Sequence, residues 1–292
     1  MSAAVVASVL APVYAVPDHR AELTSEALLG HVLEVLEERG PFLRVRSEDE
    51  HAGWVHRGHL LLGADAVVAA WRDEAHAASL GAVLAVAGRR LLIPLGARLA
   101  LERGGVVQLP DGRVAPVAGG RVAAEGDLQE EARAMGAAEW AGIFFAGAPY
   151  RWGGVTPWGV DCSGLVQATY RFRGVRLPRD AAEQARCGED VAAADALQEF
   201  ASGDLLFFGE ESGAGDEGPS RPRLARGRDR ITHVALADGA GYVVHASAAT
   251  GGVCRSPLAG GSAEAASLRA TFRGARRFER LPEAAASRGR SD

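Results

Sequence analysis

Short β-prone segments separated by turn residues run through the first 126 residues and limit what this part of the chain can fold into. Apolar residues alternate or cluster over about four to eight positions, as they do in half-buried strands. Glycine and proline interrupt these runs about every 8–12 residues, a rhythm typical of small barrels or sandwiches. The first series is HVLEVLEERG, FLRVRSEDE and GWVHRGHLL, and the second is AVVAAW, AVLAVAGRRLLIPLG, VVQLPDG and RVAPVAGGRVAAEG. We predict that each series is made of strands and forms one small all-β barrel, over residues 1–63 and 64–126.

The pattern changes at Asp127. DLQEEARAMGAAEWAGIFFAG has acidic residues at its start and apolar residues at helical spacing, which predicts an amphipathic helix. A second helix is predicted over DCSGLVQATYRFRG, with Asp161 at its start and Gly174 past its end, and a short third one over LPRDAAEQARCG. The later segments GDLLFFG, ITHVALAD, GYVVHAS and FRGARRF predict strands. Helices followed by antiparallel strands indicate an α+β domain over residues 127–281.

Two segments are predicted to lie outside this packing. Residues 209–230 are rich in Gly, Pro, Ser and charge, which predicts a flexible insertion; a lid beside an active site is the alternative. Residues 282–292 are predicted to be a disordered tail.

Charge and hydropathy exclude several classes of function. The net charge is −5 and no basic block stands out, so we expect no nucleic-acid partner. All 32 basic residues are arginine, which excludes lysine Schiff-base and P-loop chemistry. No run reaches the roughly 18 uncharged apolar residues of a membrane span, and the first residues lack the basic region of a secretory signal. We therefore expect a cytoplasmic protein without a membrane partner, and a monomer rather than an oligomer.

The three cysteines are too few for a disulfide scaffold, and their odd number leaves at least one thiol free of any intrachain pair. Cys162, in GVDCSGL, precedes an apolar helical run, and a helix N-terminus lowers the pKa of a thiol. This position predicts a nucleophile, with a buried structural cysteine as the alternative. Cys187 and Cys254 have no catalytic context in the sequence and are expected to be spectators.

Two histidines lie on the predicted strands THVALAD and YVVHAS, which a glycine-rich turn joins. His233 and His245 share one face of such a hairpin only if the index sum of opposed residues is even, so we predict an odd loop or a bulge. One imidazole would then take the thiol proton while the other holds it in its working tautomer. A Cys–His metal site is the alternative, but the close ligand spacings of zinc motifs are absent, and we expect no metal or cofactor.

These segments resemble the NlpC-type (NlpC/P60) cysteine peptidases, which cleave peptidoglycan peptides on a papain-like α+β fold. The resemblance covers about residues 127–280 and rests on DCSG, LPR, GDLLFF, HVA and HAS occurring in that order. It implies that Cys162 is the nucleophile, His233 the general base and His245 the polar third member. Tyr150, in APYRWGG, matches an aromatic residue beside the nucleophile, and its phenol could help to bind the oxyanion.

The first 63 residues resemble a bacterial SH3-like (SH3b) domain, of the type found in γ-D-glutamyl-L-diamino acid endopeptidases. In that family the SH3b domain closes one end of the cleft, so that the substrate needs a free N-terminal L-Ala. The resemblance suggests Asp161 and Ser163 as partners of that amine, although Asp161 equally suits a helix N-cap. Glu22 is a further acidic candidate, and His51 stands where Tyr is common.

Arg179, in LPRD, is expected either to bind a substrate carboxylate or to pair with Asp180 or Asp161. Trp152 and Trp158 are expected along the walls of the cleft.

The resemblance implies a cytoplasmic peptidase that hydrolyses the γ-D-Glu–diamino acid bond of murein tripeptides or tetrapeptides during cell-wall recycling. An amidase or acyltransferase on the same papain-like scaffold is one alternative, and a non-catalytic wall-binding module is another.

Overall fold

The computed structural model describes residues 3–63, 65–191, 200–211 and 229–278. The first 62 residues supply seven strands, which form one antiparallel sheet. Apolar side chains alternate along these strands, and one face of the sheet encloses a core that includes Leu33, Leu43 and Val55. The order across the sheet is β3-β2-β6-β5-β4-β1-β7. The strands are β1 (Ala3–Val6), β2 (Leu10–Tyr14), β3 (Leu23–Leu28), β4 (Val32–Arg39), β5 (Phe42–Arg46), β6 (Ala52–His56) and β7 (Leu60–Leu62), with a 3₁₀ turn at Arg57–His59.

The segment AVVAAW, predicted as a strand, is part of the helix α1 (Asp65–Glu74), so that prediction was wrong. Its buried residues Val68, Trp71 and Ala75 are spaced by three and four positions, which is the period of a helix. They pack against Val5 and Val32 of the first sheet, and the Trp71 indole donates a 2.8 Å hydrogen bond to the Gly30 carbonyl.

A second antiparallel sheet follows α1, in the order β10-β9-β13-β12-β11-β8-β14. It meets the first sheet at Gly30, where the Arg98 N–H donates to the Leu29 carbonyl. Gly30 has a φ of +78°, and a Cβ there would lie 2.1 Å from the Arg98 carbonyl oxygen, so this junction requires glycine. The strands are β8 (Ala77–Ser79), β9 (Val83–Val86), β10 (Arg89–Leu92), β11 (Arg98–Leu101), β12 (Val106–Gln108), β13 (Val114–Gly119) and β14 (Val122–Ala124).

The α+β part begins with two helices where one was predicted. α2 (Glu125–Arg133) ends before Gly136, whose extended backbone forms the N-cap of α3 (Ala137–Phe144). The short strands β15 (Val155–Thr156) and β16 (Gly159–Val160) then lead into α4 (Cys162–Arg171) and α5 (Ala181–Gln184). The predicted start of α4 at Asp161 is confirmed, and Gly174 follows its end with a φ of +81°.

A six-stranded sheet in the order β17-β22-β18-β19-β20-β21 packs against these helices. Its pairings are antiparallel. The helix α6, which precedes the last strand, was not predicted from the sequence. The elements are β17 (Glu189–Val191), β18 (Leu205–Glu211), β19 (Asp229–Ala237), β20 (Tyr242–Ser247), β21 (Gly252–Pro257), α6 (Ala263–Thr271) and β22 (Phe272–Arg277).

The β19–β20 hairpin has the parity that the two histidines need. Leu236 pairs with Val244 and Ala237 with Val243, so opposed residues have an even index sum, and an odd number of residues (238–242, five) separates the last pair. His233 and His245 therefore lie on one face, and the prediction of an odd loop is confirmed.

Most of the predicted insertion and all of the predicted tail lie outside the described residues. Residues 212–228 and 279–292 lie outside the described ranges, whereas the two ends of the 209–230 segment continue the strands β18 and β19. Of the helices in the described ranges, none has the length and apolar character to cross a membrane.

We predict that α1 is an important part of the N-terminal packing. Trp71→Ala should lower the free energy of unfolding by about 3–5 kcal/mol, because it removes a buried indole and leaves the Gly30 carbonyl without its donor. Urea unfolding measures the change. Val67→Ala on the same helix is the control, since Val67 is 64% exposed and its loss should cost less than about 0.5 kcal/mol. Equal effects of the two substitutions would contradict this role of the helix.

Candidate active site

Cys162 is the first residue of α4, and its thiol is buried against strand β19. Asp161 caps the helix, since its Oδ1 accepts a 2.7 Å hydrogen bond from the Gly164 N–H. Burial raises the pKa of the Cys162 thiol to about 12, and the adjacent Asp161 carboxylate acts in the same direction. Hydrogen bonds from the backbone N–H groups of Val234 and Ser163 oppose this increase only in part. The Ser163 N–H at the helix start does lower this pKa, as expected, but burial outweighs it, so the expected net lowering was wrong.

His233 immediately precedes Val234 on β19, and the Val234 backbone N–H is hydrogen-bonded to the Cys162 thiol. The His233 Nε2 lies 2.7 Å from the His245 Nδ1; the ring of His245 is buried and that of His233 is half-buried. Burial and the neighbouring His245 lower the pKa of His233 to about 3. Burial also lowers the pKa of His245, against the opposing charge of Glu264. The thiol and both imidazoles are consequently neutral near pH 7.

His245 has further polar neighbours that the sequence analysis missed. Its Nε2 lies 2.8 Å from the Ser256 Oγ, which donates a 2.5 Å hydrogen bond to the Glu264 Oε1. Cys254 pairs directly with His245 across β20 and β21, and its sulfur is 3.7 Å from the Ser256 Oγ. The period-two spacing of Cys254 and Ser256 in GVCRSP indicates only that these two residues share a face; that the face also carries His245 follows from the pairing of β20 with β21.

Cys254, which was expected to be a spectator, lies next to His245. His245, Cys254 and Glu264 bring donor atoms within 4.8 Å of one another, an arrangement that could hold a metal ion. The Ser256 hydroxyl already lies among these donors and bridges two of them, His245 and Glu264. We therefore interpret the group as a hydrogen-bonded chain. Cys187 lies in the turn between α5 and β17, and its thiol donates to the Glu183 carbonyl.

Tyr150 lies at the thiol, as the sequence predicts. Burial raises the pKa of its phenol to about 12, with the negative charges that Cys162 and Asp161 can carry contributing next. The phenol is half-buried and stays protonated near pH 7, so it is able to donate a hydrogen bond.

Asp161, Ser163 and Arg179 form one buried cluster under the nucleophile. Arg179 donates to both Asp161 oxygens, at 3.0 and 2.6 Å, and to the Ser163 Oγ at 2.9 Å. Its Nε donates to the Ser25 Oγ of the first sheet. Of the two expectations for Arg179, pairing with Asp161 is confirmed.

Asp161 has little capacity left for a substrate amine. Its two oxygens already accept from Gly153, Ser163, Gly164 and, twice, Arg179. A carboxylate offers about four lone-pair sites, so this carboxylate is saturated. The N-cap interpretation of Asp161 is therefore the one that its contacts support.

Glu26 is a second carboxylate at this junction, which the sequence analysis missed. Its side chain is fully buried; Oε2 accepts from the Val155 N–H, and Oε1 lies 2.8 Å from Arg151 in an ion pair but accepts no hydrogen bond. Burial raises the pKa of this carboxyl, while Arg151 opposes the increase. Glu22, the predicted acidic candidate, instead accepts a hydrogen bond from the indole of Trp152. Trp152 and Trp158 are both exposed, at 60% and 44%, and not packed into a wall.

His51 lines a partly open cavity of about 240 Å³. Its Nε2 is 3.0 Å from the Thr24 Oγ1, and it lines the cavity together with Ser25 and Glu26. Cys162, His233, His245 and Tyr150 are not among the residues that line this cavity.

Comparison with known proteins agrees with this arrangement. Residues 147–271 match the model of the NlpC/P60 family, and residues 13–60 match that of the bacterial dipeptidyl-peptidase Sh3 domain. The chain carries an NlpC/P60 domain behind a bacterial SH3 domain. The predicted α+β papain-like domain preceded by an all-β SH3-like region is thereby confirmed.

Among the relatives, the gamma-D-glutamyl-L-lysine dipeptidyl-peptidase of Bacillus subtilis is 38% identical over 104 residues, which cover 36% of this chain and 29% of that protein. Dipeptidyl-peptidase 6 of Lysinibacillus sphaericus is 29% identical and covers 70% of this chain and 81% of the relative. A crystal structure of an NlpC/P60 family protein from Bacillus cereus covers 95% of this chain and 99% of its own, with a TM-score of 0.72 at 22% identity. The fold of the NlpC/P60 domain with its preceding β domains is therefore shared along nearly the whole chain.

We predict that the buried thiol makes the fold less stable at alkaline pH. An unfolded thiol ionises near pH 9.0, whereas the folded one does so near 12. Above about pH 9 the unfolded state therefore binds fewer protons, and stability falls as pH rises, by at most about 1.4 kcal/mol per unit. Denaturant unfolding between about pH 8 and 11 should show a shallower decline for Cys162→Ser than for the wild type. Cys187→Ser, which removes a partly exposed thiol, should leave the slope unchanged; equal slopes for wild type and Cys162→Ser would refute the raised pKa.

Proposed function

We propose that this protein is a cysteine peptidase that hydrolyses the γ-D-Glu–diamino acid bond of murein peptides with a free N-terminal L-Ala. The observation that carries the proposal is the helix-capped Cys162 beside the hydrogen-bonded pair His233 and His245. The names of the Bacillus subtilis and Lysinibacillus sphaericus relatives support the bond class, although the match covers only 29% of the former protein.

The reaction uses His233 as the proton carrier. The thiol of Cys162 gives its proton to the free ring nitrogen of His233 as sulfur bonds to the substrate carbonyl carbon. The resulting oxyanion accepts hydrogen bonds from the Tyr150 phenol and the backbone N–H of Cys162 at the helix start. Collapse of the intermediate breaks the C–N bond, and the leaving amine takes the proton from His233. Water then attacks the thioester with His233 as base, which releases the acid and restores the thiol.

The substrate's free amine is recognised where the first β domain meets the NlpC/P60 domain. Glu26 is the carboxylate we assign to it, because its buried Oε1 accepts no hydrogen bond while Asp161 is saturated. The Glu26 Oε1 has the ion pair with Arg151 but no hydrogen bond, so an ammonium donor would add a charge-assisted hydrogen bond there, which favours peptides with an unblocked N-terminus. Ser163 lies beside Asp161 but already bonds to Arg179.

We assign the protein to recycling of cell-wall peptides in the cytoplasm. The three cysteines are all unpaired, which suits a reducing compartment. Selection for a free L-Ala suits peptides already released from the glycan, whose amino end is no longer blocked.

The direct test is the release of L-Ala-D-Glu from L-Ala-γ-D-Glu-diaminopimelate, followed by mass spectrometry. Cys162→Ala should abolish release, and Cys187→Ala should not change it. Hydrolysis that persists in Cys162→Ala would overturn the nucleophile assignment. No release by the wild type would instead favour an amidase or acyltransferase on this scaffold, or a non-catalytic wall-binding module.

The role of Glu26 is tested by comparing a free-amine peptide with its N-acetylated form. Glu26→Gln should lower kcat/KM for the free-amine peptide about 10–100-fold, the loss expected for a charge-assisted hydrogen bond, and should leave the slow acetylated peptide unaffected. Glu22→Gln is the matched control and should have little effect. The assignment would be contradicted if Glu22→Gln lowered kcat/KM more than Glu26→Gln does. It would also be contradicted if the wild type hydrolysed the acetylated peptide as fast as the free-amine peptide.

A further inference from the structure

A continuous hydrogen-bonded chain runs from the catalytic pair to the surface of the NlpC/P60 domain. It starts with the 2.7 Å contact between the His233 Nε2 and the His245 Nδ1. It continues over 2.8 Å from the His245 Nε2 to the Ser256 Oγ, and over 2.5 Å from that hydroxyl to the Glu264 Oε1. β19, β20, β21 and α6 supply one residue each, so the chain joins three adjacent strands to a helix.

The last group determines the direction of every donor in this chain. A carboxylate oxygen of Glu264 can only accept a hydrogen bond, so the Ser256 hydroxyl donates its single proton to it. The Ser256 oxygen can then only accept from His245, which places the His245 proton on Nε2 and leaves Nδ1 bare. A bare His245 Nδ1 requires the proton of His233 on Nε2. The His233 Nδ1 is thereby left without a proton.

We propose that Ser256 and Glu264 are positioning residues that, acting through His245, hold His233 in the tautomer whose Nδ1 is free to accept the thiol proton. Neither residue needs to touch the substrate. Their effect is to select one of two arrangements of the same protons, of which only one leaves a base beside Cys162.

The neutral state of both imidazoles makes this selection necessary. Burial lowers the pKa of both rings, so each carries one proton near pH 7 and has two tautomers. Without an acceptor at Ser256, the His245 proton would gain a partner only on Nδ1. That would reverse the bond to His233 and move its proton to Nδ1, where it blocks transfer from the thiol.

Glu264 is well placed for a second effect during the reaction. Its Oε1 lies 3.8 Å from the His245 Nε2, so a negative charge ends the chain on the side away from Cys162. When His233 becomes an imidazolium, that charge stabilises it along the polarised hydrogen bonds. The position of Glu264 is fixed by the start of α6, where Ser262 caps the helix by accepting from the Ala265 N–H.

The inference rests on the proposed function for its catalytic consequence, but its test does not need a peptide substrate. ¹⁵N NMR of the histidine rings should show the Nε2–H tautomer for both His233 and His245 in the wild type. Ser256→Ala and Glu264→Ala should shift His245 toward Nδ1–H. In both variants, alkylation of Cys162 by iodoacetamide near pH 7, read by peptide mass spectrometry, should slow at least about tenfold, which is part of the roughly 10²–10⁴-fold contribution of a general base.

Matched variants separate this role from a structural one. Ser256→Thr retains the hydroxyl and should restore most of the alkylation rate that Ser256→Ala loses. Glu139→Ala removes another exposed first-turn glutamate and Ser267→Ala another serine of the same domain; neither should alter alkylation. If the buried Ser256→Ala fails to fold, Glu264→Ala decides the question, since its side chain is 41% exposed.

Two results would overturn the inference. One is a wild-type tautomer and alkylation rate in Glu264→Ala. The other is a Ser256→Thr protein that folds but is as slow as Ser256→Ala, because packing and not the hydroxyl would then matter. Failure to cleave murein peptides with the NMR and alkylation results intact would overturn only the proposed substrate.

Discussion

The buried ion pair of Arg179 and Asp161 is the interaction on which the site depends. Asp161 caps the helix that presents Cys162, and its second oxygen holds the Gly153 N–H of the preceding loop. Arg179 fixes that carboxylate with two hydrogen bonds and extends to Ser25 in the first β domain. Burial opposes the charge of Arg179, yet Asp161 raises its pKa. Because loss of one partner would leave a buried charge uncompensated, the pair couples the helix, the loop and the β domain into one unit.

The same burial determines the electrostatics of the nucleophile. A thiol beside a carboxylate and away from water ionises with difficulty, whatever the helix dipole contributes. Burial and a neighbouring imidazole likewise lower the pKa of an imidazole, so that it does not readily gain a proton. The resting site is therefore a neutral thiol and a neutral base, and the proton transfer belongs to the reaction itself. This differs from the charged thiolate that the position of Cys162 in the sequence suggested.

The catalytic residues could be located from the sequence because their placement depends on local sequence patterns. DCSG before an apolar helix placed Cys162, and the parity of the hairpin placed His233 and His245 on one face. The α1 segment was misassigned because AVVAAW is apolar at nearly every position, so the helical spacing of Val68 and Trp71 was concealed. Glu26 and the chain from His245 to Glu264 could not be predicted, because they arise where separate elements meet and leave no local signature.

The neutral state of the Cys162–His233 pair also explains why a hydrogen-bonded chain continues from His245 to Ser256 and Glu264. A charged pair holds its own proton in place by Coulomb attraction, whereas a neutral imidazole has two tautomers of similar energy. A group outside the Cys162–His233 pair must then select one tautomer. A group that only accepts hydrogen bonds, such as the Glu264 carboxylate, can make this selection. Ser256 transmits that choice over two short hydrogen bonds, while Glu264 remains partly in solvent, where a carboxylate is stable without a buried counter-ion. Burial of the catalytic groups and the length of the chain behind them are therefore two consequences of one constraint.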